Sequence, residues 1–244
     1  ISNFDCTDLF GFHTKKNADI TVIYNKMVVP SGYDRPMTIS VDDNGRVNRL
    51  FLNPQKTDTV ENVVFGAILL KKDLLMQEIN QALAVNQKDI KNIIQAAVGK
   101  YNVYGFEDKG YTAAITSNQD YFNFNMDLIK KEVRDALFNP QRPIYTKVRD
   151  DAPSRYGLTS SVKNSIIALG CVINGEVENC VISKGVYIGE GAKVSNSIIM
   201  QDTKIGCNTN LNYVIIDKDV KIQDGRSLMG YDSYPVYIAK KSVV

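Results

Sequence analysis

The C-terminal third of the chain contains a repeat of fixed length, and this repeat most constrains how the chain can fold. Three consecutive blocks superpose without a gap and start at Val177, Val194 and Leu211. In each block an isoleucine follows the first residue by five positions, and a second isoleucine follows after six more. Aliphatic residues at this spacing, separated by Gly, Asn, Ser and Asp, are typical of hexapeptide repeats. The sequence therefore predicts a parallel β-helix in which these side chains stack inward as ladders.

A shorter block precedes these three and starts at Val162, with Val172 as its predicted last ladder residue. Before it, the chain alternates segments typical of strands and of helices. Asn44-Gly45 between two strand-like segments predicts a hairpin with a type I′ turn. Residues 111–116 are predicted to form a strand, and one helix is predicted from Asp120 to Leu137.

The overall charge and the cysteines narrow the class of protein. The formal net charge is +2 in 244 residues, which argues against a protein dedicated to nucleic acids or membrane surfaces, because such proteins carry a basic stripe. No Cys-x-x-Cys pair exists, and Cys171, Cys180 and Cys207 lie at or beside ladder positions, whereas Cys6 does not. The longest apolar stretch, 63–70, is too short to span a bilayer. We expect a soluble cytoplasmic protein with reduced cysteines.

Two segments and the order of the domains form a pattern known from one enzyme family. Phe12–Thr21 has the form of a helix-to-strand passage with a histidine and an Ala-Asp pair, and Asn125–Leu128 reads Asn-Met-Asp-Leu. Both resemble bacterial glucose-1-phosphate adenylyltransferase, a sugar-nucleotide pyrophosphorylase. The resemblance covers essentially the whole chain. It implies an α/β nucleotidyltransferase-like domain with a partial Rossmann-like sheet, a linker and a left-handed β-helix, with boundaries at 1–143, 144–157 and 158–244.

Within this family the chain most resembles the non-catalytic D-type subunits of glycogen biosynthesis, because it departs from the catalytic pattern. Catalytic members carry Phe-x-Glu-Lys-Pro, where this chain has Phe51–Pro54, so the resemblance implies that Asn53 replaces the sugar-phosphate lysine. They also carry Asp-Val-Gly-Thr, and counting back from Asn125 places Ala114 at the metal-binding aspartate. Two further motifs, the Ser-Met-Gly sugar loop and the Ser-Gly before a second metal aspartate, correspond to Val64-Phe65-Gly66 and Ser2-Asn3.

These departures remove groups that nucleotidyl transfer requires. Metal ions neutralise the charge that develops in phosphoryl chemistry, and alanine offers no oxygen ligand for Mg²⁺. We therefore expect no catalytic residue, no metal site and no bound cofactor in this chain, and the sequence assigns no substrate-binding residue. The resemblance implies that Mg²⁺ belongs to a catalytic partner subunit, which makes ADP-glucose and diphosphate from ATP and glucose 1-phosphate.

The predicted function is a regulatory or structural subunit of that enzyme, inactive by itself, in a hetero-oligomer that is expected to be a tetramer, or else in a homo-oligomer. Three alternatives stay open: an active sugar-phosphate nucleotidyltransferase with an unusual site, a β-helix acyltransferase, and a scaffold without a link to glycogen. An acyltransferase needs a histidine base within reach of its substrate. The single histidine, His13, lies far from residues 157–244, and we interpret it as a packed helix residue.

Other polar and aromatic groups have simpler interpretations. Asp42-Asp43 is predicted to lie at the exposed tip of the hairpin and not to bind a metal. Aromatic residues near the end, Tyr231, Tyr234 and Tyr237, are predicted to cover the open end of the solenoid. A set of basic residues could bind a phosphorylated effector or lie on solvated faces: Lys130, Lys131, Arg134, Arg142, Lys147 and Arg149.

The family's glycine-rich signature and its first nucleotide-binding strands have no counterpart in this sequence. The segment from Ser2 to Asp5 is also several residues shorter than the family's spacing. We therefore expect that an N-terminal segment and a short loop after Asn3 belong to the protein. An intact mass well above that of these 244 residues would support this expectation.

Overall fold

The computed structural model describes residues 1–29, 36–54, 59–146 and 150–244. They form two compact units, an α/β unit of residues 1–116 and a solenoid unit of residues 117–244. The helical residues 118–137 group with the solenoid, although the predicted domain boundary lies at 143. Within these described ranges, every helix is too short or too polar to cross a membrane.

The α/β unit contains three helices and five strands in its described part. In chain order these are α1 (Cys6–Lys15), β1 (Ile20–Val28), β2 (Met37–Val41), β3 (Val47–Leu52), β4 (Val60–Leu70), α2 (Lys72–Ala84), α3 (Ile90–Ala97) and β5 (Val103–Glu107). The strands form one sheet in the order β3-β2-β4-β1-β5. Strands β1 and β5 are parallel, and the other neighbouring pairs are antiparallel.

The core of the α/β unit lies between this sheet and helix α3. Ile94 and Ala97 of α3 are buried and share one apolar cluster with Leu50 of β3 and Val22 of β1. Helix α3 begins where the carboxylate of Asp89 accepts a hydrogen bond from the N–H of Lys91, 2.9 Å away, which is a favourable cap for a helix start. The helices and the partly parallel sheet confirm the predicted Rossmann-like α/β fold.

The hairpin between β2 and β3 is confirmed, but its predicted turn type is wrong. Of the two residues Asn44 and Gly45, only Gly45 has a positive φ, of 81°, whereas a type I′ turn needs two. The reason lies in Asp42, whose Oδ1 accepts hydrogen bonds from the N–H groups of Asn44 and Arg46, both at 2.9 Å. Asp42 therefore fixes the tip of the hairpin, in agreement with its predicted place there.

Two further elements differ from the prediction. Residues 111–116 form no strand, because Thr112 makes only an isolated bridge to Ser2. The single predicted helix from Asp120 to Leu137 is two helices, α4 (Asn118–Asp127) and α5 (Lys131–Leu137). The helix is interrupted at Leu128 and Ile129, because the guanidinium of Arg134 donates hydrogen bonds to their carbonyl oxygens in place of helical N–H groups.

The solenoid follows α4 and α5 and consists of short parallel strands. They are β6 (Arg155–Tyr156), β7 (Ser161–Lys163), β8 (Ile166–Ile167), β9 (Val172–Ile173), β10 (Glu176–Ile182), β11 (Tyr187–Ile188), β12 (Lys193–Ile199), β13 (Lys204–Ile205), β14 (Asn210–Asn212), β15 (Val214–Ile216), β16 (Lys221–Ile222), β17 (Ser227–Met229) and β18 (Val236–Ile238). These strands form two sheets along the solenoid. The first has the strand order β17-β14-β12-β10-β7, with β8, β15 and β18 paired beside it, and the second has the order β16-β13-β11-β9-β6.

The predicted ladders are confirmed residue by residue. Val177 pairs with Val194, which pairs with Leu211. The ladders of Ile182 and Ile188 continue in the same way through the later blocks, and their side chains form a fully buried core. Each coil thus places an aliphatic residue at the same position as the coil before it. Burial of these side chains in one coil therefore also fixes the register of the next coil.

The shorter first block needs a correction. Ile173, not Val172, pairs with the ladder residue Ile188, whereas Val172 pairs with the outward-facing Tyr187. Ile173 is fully buried. The missing residues of this block therefore fall after Ile173, in the turn before β10.

The prediction that three tyrosines cover the end of the solenoid is wrong. Tyr231 and Tyr234 are 76% and 78% exposed, because they occupy a turn that projects between β17 and β18. Aliphatic side chains pack against the last coil of the core instead: Leu228, Val236, Ile238 and Val244.

Candidate functional site

The positions that match the catalytic motifs can be located relative to one row of paired residues in the sheet of the α/β unit. A row of paired residues crosses all five strands: Leu52 pairs with Met37, Met37 with Val64, Val64 with Tyr24, and Tyr24 with Glu107. Asn53 follows the first residue of this row, Gly66 lies two residues beyond its third, and the segment with Ala114 begins after its last. Because β3 and β4 run in one direction and β5 runs in the other, Asn53 and Gly66 lie beyond the row on one side, whereas the segment that leads to Ala114 leaves the row on the other side. The row therefore does not bring all three positions together.

Asn53 occupies a tight turn at the end of β3. Its φ is 51°, and its N–H donates to the carbonyl oxygen of Pro36 at 2.9 Å. Asparagine adopts this left-handed conformation more readily than lysine does. The exposed side chain is a neutral amide, so this position supplies no positive charge for a phosphate.

The segment that matches the sugar loop is part of the core and of a bulge. Val64 is 2% exposed and belongs to the apolar cluster. Gly66 has a φ of 80° and lies where three residues of β4 face one residue of β1, between Val22 and Tyr24. A cavity beside it, lined by residues that include Met37 and Val64, has a volume of about 130 Å³. Pockets that hold drug-sized ligands have volumes of roughly 300–1,000 Å³, so this cavity is too small for a sugar nucleotide.

Ser2 and the segment that leads to Ala114 are joined by a buried carboxylate, Asp108. The hydroxyl of Ser2 donates to Asp108 Oδ2 at 2.6 Å, and the N–H of Gly110 donates to Oδ1 at 3.0 Å. Sequence reasoning missed Asp108. The pattern Asp-x-Gly after a strand is a turn signal that could have identified it. Both of its oxygens are engaged in holding the loop.

The side chains at these positions do not fit Mg²⁺, which requires several oxygen ligands in octahedral geometry. Ala114 presents a methyl group, and the oxygens of Asp108 already accept hydrogen bonds from the loop. In the described part of the chain, no group of three or more His, Cys, Asp or Glu side chains could hold a metal ion. No catalytic step through a metal follows from this arrangement.

His13 joins helix α1 to strand β1. Its Nδ1 lies 2.8 Å from the hydroxyl of Thr21, which is fully buried. Desolvation lowers the pKa of His13, and the charge of Lys71 lowers it further, whereas Asp19 opposes both. This environment confirms the interpretation of His13 as a packed helix residue.

The basic residues near α5 have local partners. Lys130 forms an ion pair with Asp127 at 2.7 Å, Lys131 pairs with Asp135, and Arg134 binds two carbonyls. Lys147 and Arg149 lie outside the described residues, and Arg142 has its own partner. Lys130 and Lys131 thus neutralise nearby carboxylates and Arg134 is held by backbone carbonyls, which favours the solvated-face interpretation.

The solenoid unit contains a row of asparagines that the repeat analysis did not single out. Asn164, Asn179 and Asn196 occupy the same corner in successive coils, with φ values of 41°, 52° and 45°. Each side-chain amide donates to the next one along the solenoid, and the last donates to Asn212, over 2.6, 3.2 and 2.9 Å. The signal in the sequence is an asparagine two residues after the first ladder residue of a block.

A groove with a volume of about 350 Å³ runs beside this asparagine row. Phe122 and Met126 of α4, with Ile129, form its apolar wall. In the next coil Tyr213 takes the asparagine position, with a φ of 51°. The ring of Tyr213 lies 6.1 Å from that of Phe122, centroid to centroid. The groove therefore combines amides, aromatic surface and an apolar wall within the solenoid unit.

Comparison with known proteins supports the resemblance seen in the motifs. Residues 147–234 match the profile of the family described as GlmU-like, C-terminal hexapeptide. The chain is 42% identical to the glycogen biosynthesis protein GlgD of Bacillus subtilis strain 168 over 153 residues, which is 63% of this chain and 45% of that protein. It is 33% identical to the glucose-1-phosphate adenylyltransferase of Acetivibrio thermocellus over 223 residues, which is 88% of this chain and 51% of that protein.

A shorter and closer match adds to this. GlgD of Geobacillus stearothermophilus is 51% identical over 70 residues, which is 29% of this chain and 20% of that protein. The chain spans about half the length of the curated relatives that it matches over most of its own length. These matches confirm the predicted resemblance: the chain is a relative of the bacterial glucose-1-phosphate adenylyltransferases and of the glycogen biosynthesis proteins named GlgD.

Proposed function

We propose that this chain is part of a non-catalytic subunit that regulates or supports glucose-1-phosphate adenylyltransferase in glycogen biosynthesis. The observation that carries the proposal is the chemistry of two motif positions. Asn53, with an exposed neutral amide, and Ala114 stand where the resemblance implies a phosphate-binding lysine and a metal-binding aspartate. The similarity to proteins named GlgD supports the link to glycogen.

The chemistry of these positions supports inactivity of the chain by itself. Transfer of a nucleotidyl group needs metal ions and cations that neutralise the phosphates in the transition state. An amide at Asn53 and a methyl group at Ala114 provide neither. The partner in this proposal is a catalytic subunit that holds Mg²⁺ and makes ADP-glucose, in a cytoplasmic hetero-tetramer.

The test is ADP-glucose synthesis by the full-length protein that contains this chain, first alone and then with the catalytic subunit from the same cell. The expected result is no turnover by the protein alone and a changed rate or effector response when it is mixed with the partner. Turnover by the protein alone, with ATP, glucose 1-phosphate and Mg²⁺, would overturn the proposal.

A matched variant separates the site from the rest of the protein. Asn53→Gly keeps the left-handed turn, because glycine adopts a positive φ without strain, and removes only the amide side chain. We expect the variant to affect the partner's rate as the unchanged protein does. A loss of that effect would show that the side chain of Asn53 acts in the assembly, which contradicts its assignment as a lost catalytic position.

A further inference from the structure

We propose that the groove beside the asparagine row of the solenoid unit binds an uncharged oligosaccharide, such as one end of a glucan chain. The groove lies in a different unit from the catalytic-motif positions. The inference does not rest on the proposed function, because binding of a glucan requires neither ADP-glucose synthesis nor a partner subunit.

The strongest indication is the backbone of Tyr213. Three coils place asparagine at this corner, and asparagine tolerates the left-handed region. A bulky aromatic residue at a φ of 51° is a genuine outlier. Strained residues of this kind cluster at binding and active sites, where the surrounding structure holds them in place. The strain at Tyr213 thus presents an aromatic ring to the groove at the point where the asparagine row ends.

The amides supply hydrogen bonds of the kind that sugar hydroxyls need. Each amide nitrogen of Asn164, Asn179 and Asn196 carries two hydrogens and donates one of them along the row. The second hydrogen takes no part in the row, and the proposal assigns it to the ligand. The amides recur once per coil, about 4.8 Å apart, which is comparable to the length of one hexose unit. A linear sugar can therefore meet one amide with each successive unit.

The charges in the groove favour a neutral ligand over a phosphorylated one. The cation in the lining, Lys130, already pairs with Asp127 at 2.7 Å. The lining also includes Asp232, whose carbonyl oxygen accepts a hydrogen bond from the side chain of Gln119 at 2.7 Å, so its turn is fixed against α4. An anion at this place would approach a carboxylate without gaining a free cation.

The opposite wall suits the apolar face of a sugar ring. Phe122 is 2% exposed, and its ring lies 6.1 Å from that of Tyr213, centroid to centroid. Met126 and Ile129 also line the groove. Ligand sites of this size are mainly apolar, with a few polar groups that fix the orientation. A pyranose ring has C–H faces and a rim of hydroxyl groups, which is the same division of apolar and polar surface.

The test is isothermal titration calorimetry of the full-length protein with maltoheptaose, and with glucose 1-phosphate and adenosine as comparison ligands. Saturable binding of maltoheptaose is expected, with weaker or absent binding of the other two. In the variant Tyr213→Asn, asparagine relieves the strained backbone, which offsets part of the packing lost against Phe122, Ile198 and Ile215. Loss of the aromatic face should weaken maltoheptaose binding about tenfold. Ile129→Ala on the opposite wall should weaken it as well.

The matched control is Tyr187→Asn, because Tyr187 is a partly exposed tyrosine of the other solenoid sheet. This variant should bind maltoheptaose as the unchanged protein does. The proposal is overturned if maltoheptaose does not bind, if adenosine or glucose 1-phosphate binds more tightly at the same groove, or if Tyr213→Asn weakens binding no more than Tyr187→Asn does. Thermal unfolding of each variant distinguishes a lost contact from a lost fold.

Discussion

The solenoid unit and the α/β unit bury their cores with sheets that are constructed in opposite ways. In the solenoid, Ile199 pairs with an isoleucine on each side, Ile182 in the preceding coil and Ile216 in the following one. In the α/β unit, β4 pairs with β1 and β2, which differ in sequence, and its register shifts at the bulge near Gly66. Every coil of the solenoid thus repeats one contact, whereas each pairing in the α/β unit occurs once.

This difference predicts how the stability of each unit responds to the loss of a core contact. A solenoid behaves as a row of coils in which each one touches only its neighbours, so its stability is close to a sum of neighbour terms. The sheet of the α/β unit joins segments that are far apart in the chain, such as β1 and β5, which pair in parallel. Loss of one contact should therefore remain local in the solenoid and spread across the sheet in the α/β unit.

The largest effect is expected from a cavity in the solenoid ladder. Ile199 is fully buried, so Ile199→Ala removes core volume and should lower the free energy of unfolding by about 2–5 kcal/mol. Denaturant unfolding would measure this loss. Hydrogen exchange read by mass spectrometry should show faster exchange in the coils next to β12 and unchanged exchange in the α/β unit.

Leu158→Ala serves as the control, because Leu158 is fully exposed and should change the free energy of unfolding by about 0.5 kcal/mol or less. Ile23→Ala, at a fully buried position of β1, provides the counterpart in the α/β unit. In the Ile23→Ala variant, amide hydrogen exchange should accelerate in the strands on both sides of β1. Equal spreading of the Ile199→Ala effect through both units would contradict the local response of the solenoid.

An intermediate effect is expected at the asparagine corners. Asn179→Ala forces alanine to a φ of 52°, which costs roughly 1–2 kcal/mol, and it also removes two amide hydrogen bonds. Asn179→Gly removes the same hydrogen bonds without the strain. The alanine variant should therefore unfold at lower denaturant concentration than the glycine variant.

The α/β unit offers a matched position for this comparison. Asn86, at the end of α2, has a φ of 57° and an exposed side chain. Asn86→Gly should be nearly neutral, whereas Asn179→Gly should lose about 1 kcal/mol, since it interrupts the amide row. Equal costs of the two glycine variants would show that the amide row contributes nothing to stability.

The sequence predicted the solenoid better than the α/β unit for a physical reason. The ladders of Val177 and Ile188 are evident in the sequence, because aliphatic residues at a constant spacing pair with each other in successive coils. The error at Val172 arose where a block is shortened and the spacing no longer fixes the register. In the α/β unit, the hairpin was visible in Asn44-Gly45, but its turn type depended on a side chain, that of Asp42.

The candidate sites show the same limit. Asn53 and Ala114 could be placed by motif, because each lies at a fixed distance from recognisable residues. Asp108 was missed because its Asp-x-Gly pattern signals only a turn, whereas its partner Ser2 is 106 residues away in the sequence. The asparagine row was missed for a different reason. The left-handed backbone at each corner is a sufficient reason for asparagine there. The repeat therefore gave no sign of the groove, which forms only where α4 and Tyr213 lie beside the row.

The smallest effect near neutral pH is expected from titration, and one group in each unit can be tested by substitution. Burial raises the pKa of Cys180 in the solenoid from 9.0 to about 12. The folded state then keeps its proton where the unfolded state loses it, so this contribution is complete below pH 9 and is lost as the pH rises toward 12. Desolvation lowers the pKa of His13 in the α/β unit below 6.5. The unfolded state then binds the proton first, so the contribution of His13 is complete above about pH 6.5 and is lost at more acidic pH.

Exchange measured unit by unit should therefore include an alkaline loss from Cys180 in the solenoid and an acidic loss from His13 in the α/β unit. Other groups add to each response, such as Tyr24 of the α/β unit, whose pKa is raised, and Asp217 of the solenoid, whose pKa is lowered. Exchange rates need correction for their intrinsic pH dependence before the units are compared.

Cys180→Ser should reduce the alkaline response of the solenoid, to which the raised pKa of Cys171 also contributes. Serine fits at this position, because Ser197 already fills the equivalent position in the next coil and its hydroxyl donates to the carbonyl of Ser195 at 2.5 Å. His13→Gln should flatten the acidic response and leave the alkaline one unchanged. If Cys180→Ser changed the acidic response of the α/β unit instead, a titration in one unit would affect the stability of the other. The contrast between repeated contacts in the solenoid and unique contacts in the sheet would then not extend to the response to pH.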